Sequence, residues 1–146
     1  MKESIRNKRE FAGARVRLAR SFRGWTQADL GDRVGVTHQY IGYLETGHKL
    51  PTELTVEAIG DATGFCPSFF TRPLVDEFRD EECHFRRRTT TPVSVRTRVL
   101  AHGTLFGELV GYIDKLIALP KDDVPTFRVH GVEEIEVAAE RCRIQW

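Results

Sequence analysis

The chain has 146 residues, 40% hydrophobic and 29% charged, enough for one compact domain or for one small domain with an appendage. No apolar run approaches the roughly 18 residues of a membrane span, and the charged start MKESIRNKRE lacks the apolar core of a secretory signal. The net charge of +1 conceals a division, because residues 1–50 carry a net +5 and 51–82 a net −6, followed by +5 over 83–104 and −3 over 105–146; a basic first third can present a local anion-binding face on a nearly neutral chain.

In FAGARVRLAR, Phe11, Arg15, Leu18 and Ala19 fall at helical spacing, which predicts a first helix of about three turns ended by Gly24. Thr26 then caps a second helix, with Asp29 three residues on as an acidic variant of the capping box. Ala28, Leu30 and Val34 mark its expected inward face, and Gly31 weakens it. Gly35 follows the last turn, where a left-handed residue costs least as glycine. Val36 fills the turn, and Thr37 is placed to cap a third helix running to about Thr46. Two short helices joined by a tight glycine turn make a helix-turn-helix pattern.

At this point the stretch GWTQADLGDRVGVTHQYIGYLETGHKLP resembles the DNA-binding domain of the Cro/repressor (XRE) type regulators. The matching features are Thr26-Gln27, Leu30, Gly35-Val36-Thr37, Ile41, Leu44-Glu45, Gly47 and Pro51, and the resemblance spans about residues 10–70. Helical phase turns Ile41 and Leu44 into the core with Val36. The resemblance implies that Glu45 pairs with a basic residue of the first helix, here Arg20, in a partly buried ion pair.

It also implies that the N-terminal part of the third helix enters the major groove of double-stranded DNA. His38, Gln39 and Tyr43 are the candidate base contacts, with Gly42 also outward and Tyr40 between the two faces; for both tyrosines packing is the alternative to contact. Gln39 matches an adenine edge, His38 the N7 or O6 of guanine, and Tyr43 a thymine methyl or a phosphate. Gly42 lacks the side chain many relatives use there, which suggests a close backbone approach or reduced direct readout. Candidate phosphate contacts are Gln27, at the start of the second helix, with Thr37, Arg15, Arg23, His48 and Lys49. The bland alternative for each is an ordinary solvated side chain.

TELTVEAIGDATG reads as a fourth helix, capped by Thr52, with Leu54, Ala58 and Ile59 inward and Gly64 as its stop. PSFF adds a short helical turn that sends Phe69 and Phe70 inward. The fold expected is all-α: a five-helix lambda-repressor-like helix-turn-helix domain over residues 8–72, a linker over 73–91, and a helical dimerisation or linker region over 92–146. Residues 83–88, with Arg86, Arg87 and Arg88, read as a short strand or an extended segment.

Thr91 and Pro92 begin a long helix, with Val95, Val99, Phe106, Leu109, Val110, Ile113, Leu116 and Ile117 at helical spacing until Leu119-Pro120. Gly103, Gly107 and Gly111 form a GxxxGxxxG row on it. Interior glycines cost roughly 1 kcal/mol each relative to alanine, so the row predicts a closely packed helix, from this chain or from a second copy. A last helix follows, VEEIEVAAERCRIQW, whose apolar stripe is Val132, Ile135, Ala138, Ala139, Cys142 and Trp146. Ending in phase on Trp146, it reads as an interrupted sequence.

Residues 83–146 resemble the linker in fusions of this DNA-binding domain to ImmA/IrrE-type zinc metallopeptidases. The chain holds no HExxH, so no peptidase activity, metal or cofactor is expected. Cys66, Cys83 and Cys142 match no CxxC or zinc spacing, which predicts three reduced, mostly buried thiols in a cytoplasmic protein. The leading expectation is a sequence-specific transcriptional regulator, a repressor that binds a palindromic operator as a homodimer. The alternatives are the N-terminal part of a metallopeptidase fusion, with a peptidase domain as partner, or an antitoxin that masks a toxin partner.

Overall fold

A computed structural model describes residues 11–74, 76–79, 92–117, 119 and 126–145. Among the described residues six α-helices follow one another: α1 (Gly13–Arg23), α2 (Gln27–Val34), α3 (His38–Glu45), α4 (Glu53–Thr63), α5 (Val93–Leu116) and α6 (Val132–Gln145). A 3-10 turn, Pro67–Thr71, follows α4. No strand occurs among the described residues, and the fold is all-α as expected. The strand or extended segment at 83–88, the Thr91 cap, Cys83 and Trp146 lie outside them.

The helix boundaries are local chemistry. Thr26 and Asp29 close a full capping box on α2: the Thr26 hydroxyl accepts from the Asp29 N–H, and the Asp29 carboxylate accepts from the Thr26 N–H. Thr37 and Thr52 cap α3 and α4 by accepting from the N–H groups of Tyr40 and Thr55. Gly35, at φ 74°, ends α2 in the left-handed conformation that turns the chain into α3.

Helices α1 to α4 and the 3-10 turn close around Val16, Ala19, Leu30, Ile41, Leu44, Ile59 and Phe70, all with no exposed surface. Each of the larger side chains contributes about 1.5–3 kcal/mol by leaving water. Phe69 packs half-buried against this core. Gly31 belongs to it too: a β-carbon there would lie 2.6 Å from the Val36 carbonyl oxygen. The residue that weakens α2 by propensity is thus what lets the turn fold against the helix.

Two positions expected to point inward do not. Ala28 is exposed, because it stands two residues from Leu30, on the far side of a helix that turns 100° per residue. Leu54 is 77% exposed, since α4 packs through Val56, Ile59, Gly60 and Thr63, and Leu54 stands two residues from Val56 on the opposite side of the helix.

The chain divides into two units, residues 1–111 and 112–146, with the boundary inside α5. In the first unit α5 buries Ala101 and Thr104. The Thr104 hydroxyl accepts from the Phe78 N–H at 3.0 Å and donates to the Leu100 carbonyl at 3.0 Å. Among the described residues no helix of this chain covers the glycine row. Gly103 and Gly107 form a floor for the ring of Phe78, whose carbons would lie 3.5 and 3.6 Å from added β-carbons, and Gly111 meets nothing within 4 Å. A flat ring needs the same absence of side chains that a crossing helix does, so the spacing alone does not distinguish them.

In the second unit α6 buries none of its residues whose exposure is described, and Val132, Ile135, Val137 and Ile144 are exposed. The cysteines also depart from expectation. Cys142 is half-buried, and Cys66 is exposed at the start of the 3-10 turn. There a hydrogen bond with the Ser68 hydroxyl, 3.1 Å from its sulfur, holds the thiol below its ordinary pKa. No helix among the described residues is long and apolar enough to cross a membrane.

Candidate nucleic-acid interface

The two faces of α3 are chemically opposed. Ile41 and Leu44 anchor it in the core, whereas His38, Gln39 and Tyr43 are exposed, Tyr43 at 47%. Tyr40, which the sequence left between the two faces, is half-buried and packs on the core. The only carboxylate of α3, Glu45, is turned inward, so the exposed face carries no negative charge.

Glu45 is held by α1. Arg20 donates to it twice, from Nε to Oε1 at 2.6 Å and from Nη2 to Oε2 at 3.1 Å, and its Nη1 donates to the Trp25 carbonyl at 2.8 Å. The pair is largely screened from water, with side chains 14% and 5% exposed for Arg20 and Glu45. Gln27, from the first turn of α2, joins it by donating from Nε2 to Oε2 of Glu45 at 2.8 Å.

The C-terminal end of α3 gathers three of the residues selected from the sequence. The ring of His48 lies 6.3 Å from that of Tyr43, and its Nδ1 is 2.7 Å from the Thr46 hydroxyl. The Lys49 ammonium sits over Tyr43 at 5.3 Å and over Tyr40 at 5.9 Å. Cation and aromatic rings attract through the ring quadrupole, which keeps this charge near α3. At the other end Thr37, the N-cap, is exposed.

The remaining cations are elsewhere. Arg15 is 4% exposed, and its guanidinium is committed to the carbonyls of Arg72 (3.1 Å) and Pro73 (2.7 Å) and to Glu108 (2.8 Å). It is therefore a structural residue and not a surface phosphate contact: an arginine on a helix can turn inward when carbonyls and a carboxylate engage each of its three nitrogens. Arg23 is exposed but folds back on the end of α4, donating to the Thr63 carbonyl at 2.6 Å. Arg33, absent from the cations expected to meet DNA, is exposed on α2 with its guanidinium 4.2 Å above the Trp25 ring. Its spacing from Asp29, whose carbonyl it reaches at 3.0 Å, was the available signal.

The model of a helix-turn-helix domain family matches residues 12–68. An uncharacterized HTH-type transcriptional regulator of Mycobacterium bovis and one of Mycobacterium tuberculosis are each 38% identical over 74 residues, 51% of this chain and 29% of the relative. One of Sinorhizobium fredii is 31% identical over 67 residues, 46% of this chain and 47% of the relative. The matched stretch thus spans under a third of the mycobacterial proteins and about half of the rhizobial one. No solved structure matches the chain significantly. Residues 83–146 lie beyond the family match.

Proposed function

We propose that the chain, whose residues 12–68 match a helix-turn-helix domain family, is an XRE-type, sequence-specific DNA-binding transcriptional regulator, a repressor that occupies a palindromic operator as a homodimer. The observation that carries this is α3 itself: Ile41 and Leu44 are fully buried, Glu45 is neutralised beneath it, and His38, Gln39 and Tyr43 face outward free of negative charge. A helix held this rigidly and so composed is suited to a major groove, with Gln39 toward an adenine and His38 toward a guanine. Thr37, His48 and Lys49, at the two ends of α3, are the phosphate contacts that fit this pose best. Arg23 is a further, more distant one.

The homodimer is supported by the outer face of α5 in the first unit, where Val95, Val99, Phe106 and Leu109 remain 41–67% exposed. Their separations of four, seven and three residues follow a heptad seam, which a second copy of the same helix would cover. Two operator half-sites would then lie about one DNA turn apart. A second reading, a chain that also masks a protein partner such as a toxin, is favoured by the uncovered apolar side chains of α6, with Val132 77% and Ile144 81% exposed. Copurification of a small co-encoded protein tests that reading.

The test of the main proposal is a salt titration of binding to the DNA upstream of the gene, with Gln39→Ala beside the wild type. The expected result is a dissociation constant of about 10⁻⁸ to 10⁻¹¹ M that weakens steeply with salt and rises with Gln39→Ala. Weak binding, indifferent to sequence and to Gln39, would overturn it.

A further inference from the structure

The amide of Gln27 lies over Gly42. A β-carbon built on Gly42 would stand 3.4 Å from Gln27 Oε1, 3.6 Å from Nε2 and 3.7 Å from Cδ. A side chain contributed by α2 therefore fills the space where a side chain of α3 would begin. Gly42 is one helical turn from Gln39, three residues away, so the amide adjoins the outward part of α3.

The polarity of that amide is determined. Nε2 is 2.8 Å from Glu45 Oε2, and a carboxylate only accepts, so the nitrogen must face Glu45 and the carbonyl oxygen must turn away from it. Glu45 cannot swing to accommodate the reverse orientation, because Arg20 holds both of its oxygens. A series of guanidinium, carboxylate and amide thus connects α1, α3 and α2, and among the described residues no hydrogen bond engages Oε1 or the second N–H of Gln27, which leaves them for a ligand.

We propose that Gln27 reads a base edge, supplying from α2 the contact that Gly42 cannot make from α3, with Glu45 as its positioning residue. This rests on the assignment of α3 to the major groove. A phosphate oxygen only accepts and has no use for Oε1, whereas adenine presents an N6 donor beside an N7 acceptor, the complement of the acceptor and donor that the amide retains. The specificity surface is therefore composite, built from two helices.

The experiment is selection of bound duplexes from a random pool by the full chain, by Gln27→Ala and by Gly42→Leu, followed by titrations with each base at the affected position. A β-carbon on Gly42 meets only the Gln27 amide, so Gly42→Leu displaces that amide and covers the case in which Gln27→Ala fails to fold. Both variants are expected to lose preference for adenine at one shared position, by roughly tenfold to a hundredfold, with the salt dependence of binding unchanged. Glu45→Gln, which frees the amide to turn over, is expected to weaken discrimination most at that position, alongside the stability loss that comes with breaking the buried pair with Arg20. If instead Gln27→Ala weakens all sequences alike and lowers the salt slope by about one, Gln27 is a phosphate contact and the proposal fails while the role of α3 stands. A wild type that selects no sequence overturns both.

Discussion

Arg20 on α1 holds both carboxylate oxygens of Glu45 on α3, at 2.6 and 3.1 Å, and so joins the first helix of the domain to the helix that carries its exposed polar face. The bond pair is nearly dry, in contrast to the Arg17–Glu77 bridge, whose side chains are 48% and 47% exposed. Breaking one side of a buried pair leaves a charge without a partner, whereas water replaces an exposed one. Glu45→Ala is therefore expected to lower stability by about 3–5 kcal/mol, and Arg17→Ala by about 0–1 kcal/mol. Urea unfolding midpoints of the two variants check this, and equal losses would contradict it.

Two helical glycines should respond oppositely to alanine. Gly31→Ala places a methyl 2.6 Å from the backbone oxygen of Val36, which cannot yield without opening the turn. Gly42→Ala meets only the Gln27 side chain, at 3.4 Å, and gains up to about 1 kcal/mol of helix propensity. Thermal melting is expected to fall for the first and to hold or rise for the second.

Arg15 and Lys49 are both cations, and only one of them is available to a phosphate. Lys49→Ala is expected to reduce the salt slope of DNA binding by about one. Arg15→Ala should leave that slope unchanged and instead lower stability, because it strands Glu108 and the carbonyls of Arg72 and Pro73. Binding isotherms at several salt concentrations, run with unfolding curves, separate the two.

The capping box of α2 predicts an acid-sensitive contribution. The Asp29 carboxyl is held below its ordinary pKa, chiefly by the Thr26 N–H and then by the Thr26 hydroxyl. A depressed folded-state pKa stabilises fully above the ordinary carboxylate value, and that stabilisation is lost as pH falls through the lower folded value. The difference in melting temperature between wild type and Asp29→Ala should hold steady above about pH 5 and shrink toward zero in stronger acid. A difference independent of pH would mean that the charge plays no part.

Much of the first unit was legible from residue type and spacing. Thr26 with Asp29, Thr37, Gly35 and the Ile41–Leu44 pair specify their roles through bonds and phases that span fewer than five residues. Side chains whose environment comes from distant parts of the chain were not legible in the same way. Arg15 looks like any surface arginine until carbonyls 57 and 58 residues away and Glu108 surround it. The glycine row of α5 predicted a helix, and a single ring from Phe78 covers two of its members.

The sequence by itself determined the helices α1 to α4, the threonine caps of α2 to α4 and the direction in which Gln39 and Tyr43 face, because hydrogen bonds within a turn and a period of 3.6 residues are local properties. Only the tertiary structure decided that Arg15 is internal and that the Gln27 amide lies against Gly42 with its nitrogen toward Glu45. Those facts depend on which groups the packed helices bring within about 3 Å of one another, and no spacing along the chain encodes that distance.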